Sequence, residues 1–341
     1  MIHNLQALRA VAAWMVVAHH LRAPLGEVWA PLGDTLIFAA GVDIFFVLSG
    51  YVMVVSTRSS PSATEFLRRR AVRILPLYWA VTLAITITLI FGLHPIGISS
   101  WSWTDVAQSF LLVGAERSDG YAGPLLGVGW TLAYEAFFYA LIGAALLLGA
   151  PIMPALPLAL AGLVVLGAVN GEGFAARFYT SPILLEFAAG MMIAHLRLLR
   201  FGPALCSTGV AALFVGGYMM AQVAPSGDLI TPGGDGAIWR TVLFGVPAVL
   251  IISGAVAWER AGGAVRAGFI RDQGDASYAL YLIHLPLIQI IDKAVGSTLL
   301  LLITPPVLAI SAHAIHQGWE RPVLAILRPR RFDLRIYRLV G

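Results

Sequence analysis

Residues 5–20 read LQALRAVAAWMVVAHH, an apolar segment that contains Arg9 and, eleven positions later, His20. An α-helix turns about 100° per residue, so two positions eleven apart point within about 20° of one direction. The guanidinium and the imidazole therefore share one helix face, about 16 Å apart along its axis. Ionisable side chains in a membrane helix are costly and normally face a protein interior or a wet cavity. Arg9 and His20 are therefore the first candidates for functional residues.

The composition predicts a polytopic membrane protein. Of the 341 residues, 59% are hydrophobic and 12% are charged, whereas about a quarter of a soluble domain is charged. The single cysteine, Cys206, excludes an internal disulfide and a multi-cysteine metal site. The first apolar segment has no cleavage-like site and is predicted to be a retained helix. The net charge of +4 is explained by membrane topology rather than by nucleic acid binding.

The predicted fold class is an all-α membrane bundle of about ten transmembrane helices with both termini in the cytoplasm. Each apolar stretch is close to the ~20 residues that a bilayer requires. We expect one membrane domain over residues 1–341, with a short basic cytoplasmic tail at about 317–341. The predicted spans are 4–23, 35–56, 74–93, 127–148, 153–170, 181–198, 203–223, 240–257, 276–293 and 298–316.

The orientation follows from the arginines, because cytoplasmic loops of membrane proteins are enriched in positive charge. The predicted inner loops and tails contain Arg58, Arg68, Arg69, Arg70, Arg73, Arg197, Arg200, Arg260, Arg266, Arg271, Arg321, Arg328, Arg330, Arg331, Arg335 and Arg338. The predicted outer side contains only Arg22, Arg117, Arg177, Arg240 and Lys293.

An arginine cluster lies at the inner mouth of the predicted bundle, where residues 65–79 read EFLRRRAVRILPLYW. Any inner flank is basic, so anionic lipid headgroups alone could account for the cluster. Guanidinium groups also match phosphate oxygens in pairs. The charges leave open whether membrane lipids or a phosphorylated cofactor bind there.

Asp43 is a charged residue inside the second predicted span, in the run 41–51 (GVDIFFVLSGY). It lies deep enough in the membrane to need a partner. A histidine of span one is the predicted partner, which Asp43 would orient as in a catalytic triad; a structural carboxylate bound to an arginine is the alternative. Gly41 and Gly50 predict close helix packing.

Glu135 and Tyr139 form an i, i+4 pair on one helix face. They either bind a polar substrate and position a base, or only join helices. His284 either lines a cavity or bonds a neighbouring helix. His20 suits proton transfer because the ordinary histidine pKa is about 6.5, and His19 points about 100° away from it.

Five of these runs together resemble the acyltransferase-3 family of integral membrane acyltransferases, in the family's order and over nearly the full length. The opening, Asn4 to Arg9, is most similar to bacterial exopolysaccharide O-acetyltransferases of the succinoglycan type. The runs are Gln6–Ala10 with His20, Gly41–Tyr51, Arg70–Arg73, Trp130–Tyr139 and Ser277–Pro286.

The resemblance implies transfer of an acyl group, usually acetyl from acetyl-CoA, to a sugar hydroxyl of a surface or secreted glycan. It places the family's Arg-then-ten-then-His signature on Arg9 and His20. Its Arg-x-x-Arg signature falls on Arg70 and Arg73, and its span-four glutamate on Glu135. Many members have two adjacent acidic residues there, whereas Ala136 follows Glu135 in this chain.

The sequence therefore predicts an O-acetyltransferase of the bacterial inner membrane, with acetyl-CoA as donor and a glycan or lipid-linked oligosaccharide as acceptor. His20 either deprotonates the sugar hydroxyl or is itself acylated. Membrane lipids are expected partners, nucleic acid and metal are not, and a homodimer is left open. The predicted site residues are His20, Asp43 and Glu135 for catalysis, Arg9, Arg68, Arg69, Arg70 and Arg73 for the cofactor, and Trp130, Tyr139 and His284 for the substrate.

Two other classes of protein share some of these features. A secondary transporter of a small anionic or sugar solute would also carry buried charges in many spans, but it would need no acyl donor. A lipid-binding scaffold would explain the basic flanks by lipid charge alone and would tolerate alanine at His20.

Overall fold

The structure, a computed structural model, describes residues 3–57, 62–95, 97–195, 201–223 and 236–327, except for the side chains of residues 296–298. These residues are overwhelmingly helical, with an isolated β-bridge between Glu116 and Ala122. A helix lies at each predicted span: α1 (His3–His20), α2 (Ile37–Thr57), α3 (Ala63–Ile90), α4 (Gly127–Leu147), α5 (Ala155–Asn170), α6 (Leu184–His195), α7 (Gly202–Val223), α8 (Ala237–Arg260), α9 (Ser277–Val295) and α10 (Leu299–Leu327). Shorter helices at Arg22–Val28, Ala30–Asp34, Trp103–Leu111, Phe174–Tyr179 and Gly268–Asp275 connect them.

Seven helices in the described part of the chain, α2, α3, α4, α7, α8, α9 and α10, are long and apolar enough to cross a membrane. Helix α1 has polar side chains in its first turns, and α5 and α6 contain 16 and 12 residues. The all-α class is confirmed, whereas the count of ten spans and the orientation of the termini stay predictions. Arg58, Arg197, Arg200 and the arginines from 328 onwards lie outside the described residues.

Two helices extend beyond their predicted bounds on the inner side, the side predicted to be cytoplasmic. Helix α3 begins at Ala63 instead of residue 74, because the Ser62 hydroxyl accepts a hydrogen bond from the Glu65 amide and caps the helix. The arginine cluster therefore lies on a helix instead of in a loop. Helix α10 likewise continues to Leu327, so the described part of the predicted tail is helical.

Helices α9 and α10 cross the bundle in opposite directions. Helical backbone runs from Ser277 to Ile315, which is 39 residues, or about 58 Å if it were straight. Yet the Tyr278 hydroxyl donates to the Ile74 carbonyl (2.7 Å), and Arg68 donates to the Leu327 carbonyl (3.2 Å). Ile74 and Arg68 are neighbours on the inner part of α3, so the chain goes out and returns.

Helix α1 is fixed along its length, which sets the positions of Arg9 and His20. The Glu259 carboxylate at the end of α8 accepts hydrogen bonds from the first amides, His3 N–H and Asn4 N–H, both at 2.7 Å. A negative charge at this position also complements the helix dipole. Further along, the Trp14 indole donates to Gln273 (3.1 Å).

Helix α2 lies at the centre of the bundle and is the most buried of the seven. Its glycines allow backbones to touch, as the sequence predicts. A Cβ on Gly41 would overlap with the Ala12 carbonyl of α1, and one on Gly50 with the Phe187 carbonyl of α6. Gly190 on α6 faces the Val47 carbonyl in the same way.

We expect Gly190→Ala to destabilise the protein, because the new methyl group meets backbone that cannot rotate away. Overpacking of this kind costs about 1–3 kcal/mol. The measurement is the thermal unfolding temperature of the detergent-solubilised protein. Gly162→Ala on α5 is the control, since a Cβ there meets nothing within 4 Å and alanine favours a helix. Equal unfolding temperatures for both variants would contradict the proposed contact.

Candidate active site

A cavity of about 130 Å³ lies between α1, α2, α3, α4 and α9. It brings together five of the predicted site residues. Arg9 comes from α1, Arg70 and Arg73 from α3, and Glu135 and Tyr139 from α4. The other polar residues in its wall are Gln6, Ser49, Thr131, Ser277, Tyr278 and Tyr281.

The charge of this cavity is positive, because three arginines and one glutamate line it. Arg9 donates to the Gln6 side chain (3.2 Å), and Asp275 and Glu320 are its nearest attractive charges. The Arg70 guanidinium lies 5.9 Å from the centre of the Tyr139 ring. Converging guanidinium groups in a partly enclosed space are suited to binding phosphate.

The other two arginines of the predicted anion site do not line the cavity. Arg68 projects about 160° away from Arg70 around the helix, is exposed, and donates to the Leu327 carbonyl. Arg69 forms an ion pair with Glu65 one turn earlier. Of the four predicted arginines of α3, Arg70 and Arg73 therefore line the cavity, together with Arg9 of α1.

Glu135 joins two helices and also lines the cavity. Its Oε1 accepts a hydrogen bond from the Ser49 hydroxyl of α2 (2.7 Å), so it joins two helices. It also lines the cavity together with Tyr139. It does not orient His20, whose hydrogen-bond partners are Val16 and His284.

Asp43 is bound to an arginine, and the predicted pairing with a histidine is wrong. The Arg240 guanidinium donates to both carboxylate oxygens of Asp43, at 3.0 and 2.8 Å, and both side chains are buried. A guanidinium fork fits a carboxylate in two places, which one imidazole nitrogen cannot do. Arg240 also lies over the Trp130 ring, at 5.5 Å, so Trp130 belongs to this ion pair and not to the cavity.

Glu186 of α6 lies beside this pair, and no sequence pattern indicated that position. It is 1% exposed, and both carboxylate oxygens are buried without a hydrogen-bond partner among the described residues. Asp43 and Arg240 are its charged neighbours. The ion pair therefore joins α2 to α8 at a point where a carboxyl group of α6 is also buried.

We expect Arg240→Gln to lower stability strongly, because it leaves Asp43 buried without a countercharge. Removing one partner of a buried ion pair costs about 3–5 kcal/mol. Thermal unfolding in detergent measures the loss. Arg271→Gln is the matched control, since the Arg271–Asp272 pair is more than half exposed and such pairs contribute little. An unchanged unfolding temperature for Arg240→Gln would show that the pair is not stabilising.

The histidines form a second site at the outer end of α1. His20 Nδ1 lies 2.9 Å from the Val16 carbonyl oxygen and 3.3 Å from His284 Nε2. His20 is partly exposed, whereas His284 is fully buried. His284 thus bonds a neighbouring helix and does not line the cavity. His19 Nδ1 is buried and has no hydrogen-bond partner in the described part of the chain.

Tyr281 separates the cavity from the histidine pair. Its hydroxyl lies 2.8 Å from the Thr131 hydroxyl, and both residues are in the cavity wall. Its ring centre is 5.8 Å from that of His284. The sequence did not single out Tyr281 or Thr131. Tyr281 lies one helical turn before His284, which is the only signal that could have identified it.

The outer segment between α3 and α4 is held by its own polar network. Asp105 caps the helix Trp103–Leu111 and accepts hydrogen bonds from Ser102 and Ser118. Burial raises the pKa of Asp105, but the hydrogen bonds from Ser118 and Ser102 outweigh this effect, so the net pKa lies below its ordinary value. The carboxylate therefore stays ionised and keeps this segment folded over the outer end of the bundle.

The fold and these two sites define a polytopic membrane protein with an arginine-lined cavity on one side and a histidine pair beyond it. The chain belongs to the acyltransferase-3 family, whose model, described as an acyltransferase domain, matches residues 2–315. The family predicted from the sequence is thus confirmed, and the protein is a multi-pass membrane O-acyltransferase. The transporter and scaffold alternatives are set aside.

Three relatives show the breadth of this family. The exopolysaccharide production protein ExoZ of Rhizobium meliloti (strain 1021) is 35% identical over 75% of this chain and 78% of its own length. The acyltransferase MdmB of Streptomyces mycarofaciens is 26% identical over 96% and 93%. The peptidoglycan O-acetyltransferase OatA of Listeria monocytogenes serovar 1/2a is 30% identical over 40% of this chain and 23% of its own. No solved structure matches the chain significantly.

Proposed function

We propose that the protein transfers an acetyl group from cytoplasmic acetyl-CoA to a sugar hydroxyl of a cell-surface or secreted polysaccharide, in the bacterial inner membrane. One observation carries the proposal: Arg9, Arg70 and Arg73 converge in one cavity, and Arg9 is on the same helix as His20. Helix α1 would thus connect a phosphate-binding site at Arg9 with a general base at His20.

The arginines would bind the phosphates of CoA on the cytoplasmic side. The cavity of about 130 Å³ is smaller than the roughly 300–1,000 Å³ of a typical small-molecule site. The nucleotide therefore stays at the mouth, and only the thioester arm enters. Arg9 lies about 16 Å from His20 along α1, so it binds a phosphate rather than the thioester oxygen when the acyl group is at His20.

His20 would act where the thioester arm ends. In direct transfer, His20 Nε2 takes the proton of the sugar hydroxyl, while the oxygen of that hydroxyl attacks the carbonyl carbon of the thioester. The carbon–sulfur bond then breaks, and the CoA thiolate leaves and takes up a proton. In two-step transfer, Nε2 attacks the thioester carbonyl first, and CoA leaves as the thiolate. The sugar hydroxyl then attacks the acyl carbon, the bond from that carbon to Nε2 breaks, and the hydroxyl proton goes to the thiolate or to water.

The acceptor would be a polysaccharide. ExoZ is described as an exopolysaccharide production protein and OatA as a peptidoglycan O-acetyltransferase. Both names point to a polysaccharide. The place of His20 at the outer end of α1, partly exposed, favours an acceptor that approaches from the outer side.

We expect the double variant Arg70→Ala with Arg73→Ala to bind CoA one to two decades more weakly. Loss of a charge-assisted bond costs about 1.5–3 kcal/mol. Isothermal titration of the purified protein with CoA measures the change. The matched control is Arg68→Ala with Arg69→Ala, which removes two charges from the same helix but outside the cavity. Normal CoA binding by the first variant, or equal loss in both, would refute the phosphate site.

We expect His20→Ala to abolish acetyl transfer while CoA binding persists, and His19→Ala to be much milder. Loss of a general base typically costs 10²–10⁴-fold. The assay compares polysaccharide acetylation by mass spectrometry in cells that lack the gene and carry each variant at matched levels. Equal activity of the two variants would overturn the assignment. A labelled acyl-protein that is absent from His20→Ala would favour the two-step route.

A further inference from the structure

We infer that His284 is a positioning residue that, together with the Val16 carbonyl, accepts from His20 Nδ1–H, holds the His20 ring in one orientation and stabilises its positively charged form. The inference rests on the proposed role of His20 in acyl transfer. It assigns to a neutral, buried imidazole the task that a carboxylate performs in a catalytic triad.

The direction of each hydrogen bond follows from the backbone carbonyls, which can only accept. His284 Nδ1 lies 2.6 Å from the Tyr281 carbonyl oxygen and 3.2 Å from that of Leu280, so it carries a proton. His20 Nδ1 lies 2.9 Å from the Val16 carbonyl oxygen and carries a proton for the same reason. At 3.3 Å, His284 Nε2 must then accept from His20 Nδ1.

This arrangement permits one tautomer of His20. With the proton on Nδ1, the lone pair is on Nε2, the nitrogen without a protein partner in the described part of the chain. If His284 were positively charged, its Nε2 would donate to His20 Nδ1. His20 Nδ1 would then have no proton, and its lone pair would face the lone pairs of the Val16 carbonyl oxygen. The Val16 carbonyl and the neutral His284 therefore both accept from His20 Nδ1–H, and Nε2 of His20 is left as the basic or nucleophilic nitrogen.

No carboxylate of the described residues takes part in this arrangement. The charged or titratable groups that face His20 and His284 are His19, Arg22 and Tyr281. Asp43 is bound to Arg240, and Glu135 lies in the cavity. When His20 accepts a proton at Nε2, its Nδ1–H bond to His284 becomes charge-assisted and stronger. His284 thereby favours the charged state that acyl transfer requires.

The pair orients a base but does not relay protons inward. His284 Nδ1–H is held by carbonyl oxygens, which cannot take its proton. A proton that arrives at His20 Nε2 must therefore leave from the same nitrogen, to the departing CoA thiolate or to water. The atoms balance without any change in the protonation of His284.

Two variants that differ by one methylene group separate this role from a structural one. In His284→Asn the amide nitrogen can replace Nδ1 on the backbone carbonyls, but the side chain is too short to reach His20. In His284→Gln the amide oxygen can reach the position of Nε2 and accept from His20 Nδ1. A structural role in bonding the carbonyls of α9 would favour Asn, whereas the positioning role favours Gln.

The experiment measures kcat and KM for acetyl-CoA with membranes containing each variant, alone and combined with His20→Ala, using polysaccharide from cells that lack the gene as acceptor. We expect His284→Asn to lower kcat by about 10–100-fold, as is usual when the partner that orients a functional histidine is lost. KM should be unchanged, His284→Gln should recover most of kcat, and neither variant should lower the residual activity of His20→Ala.

The outcomes distinguish this inference from the proposed function. If the parent protein transfers no acetyl group, the proposed function fails. If His20→Ala retains full activity, the catalytic role of His20 fails, and the positioning role of His284 fails with it. If His20→Ala is inactive but His284→Asn has normal kcat, or is more active than His284→Gln, the positioning role is overturned while the proposed function stands. The same holds if His284→Asn lowers the residual rate of His20→Ala as much as it lowers the rate of the parent protein.

Discussion

A charge in the interior of an apolar helix bundle has to find its partner on another helix, and this constraint organises the whole molecule. Asp43 and Arg240 meet it most directly, since each would be an isolated buried ion without the other. Their pairing fixes α2 against α8, and Ser49 with Glu135 fixes α2 against α4. The polar contacts thus specify which helix faces pack together. Apolar side chains alone do not determine this, because lipid tails are equally apolar.

The cavity brings cationic side chains of two helices into one space, unlike the one-to-one pair of Asp43 and Arg240. Arg9, Arg70 and Arg73 share a space with one carboxylate, Glu135. Asp275 and Glu320 offset part of this positive charge at Arg9, and converging guanidinium groups are suited to binding a phosphate anion. Arg240, which binds both carboxylate oxygens of Asp43, is a structural cation, whereas under the proposed function the cavity arginines bind the donor.

The sequence predicted what depends on local patterns and missed what depends on pairing across the fold. Eleven-residue spacing placed Arg9 and His20 on one helix, and glycine placement predicted the contacts of Gly41 and Gly50. The partner of Asp43 is 197 positions away and looked like an ordinary outer arginine. The partner of His20 is 264 positions away. Residue spacing does not reveal partners so far apart in the sequence. A histidine of span one was therefore predicted as the partner of Asp43, and this prediction is wrong.

The relation between the two sites depends on α1 being one continuous helix. Its first amides are bound by Glu259 and its side by Gln273, so Arg9 and His20 cannot move independently. A donor anchored by its phosphates at the level of Arg9 therefore meets His20 only if its arm spans that fixed separation and passes Tyr281. Short phosphorylated metabolites would bind the arginines without reaching the histidine. Under the proposed function, this rigid spacing selects a donor whose acyl group is held at the end of a long arm.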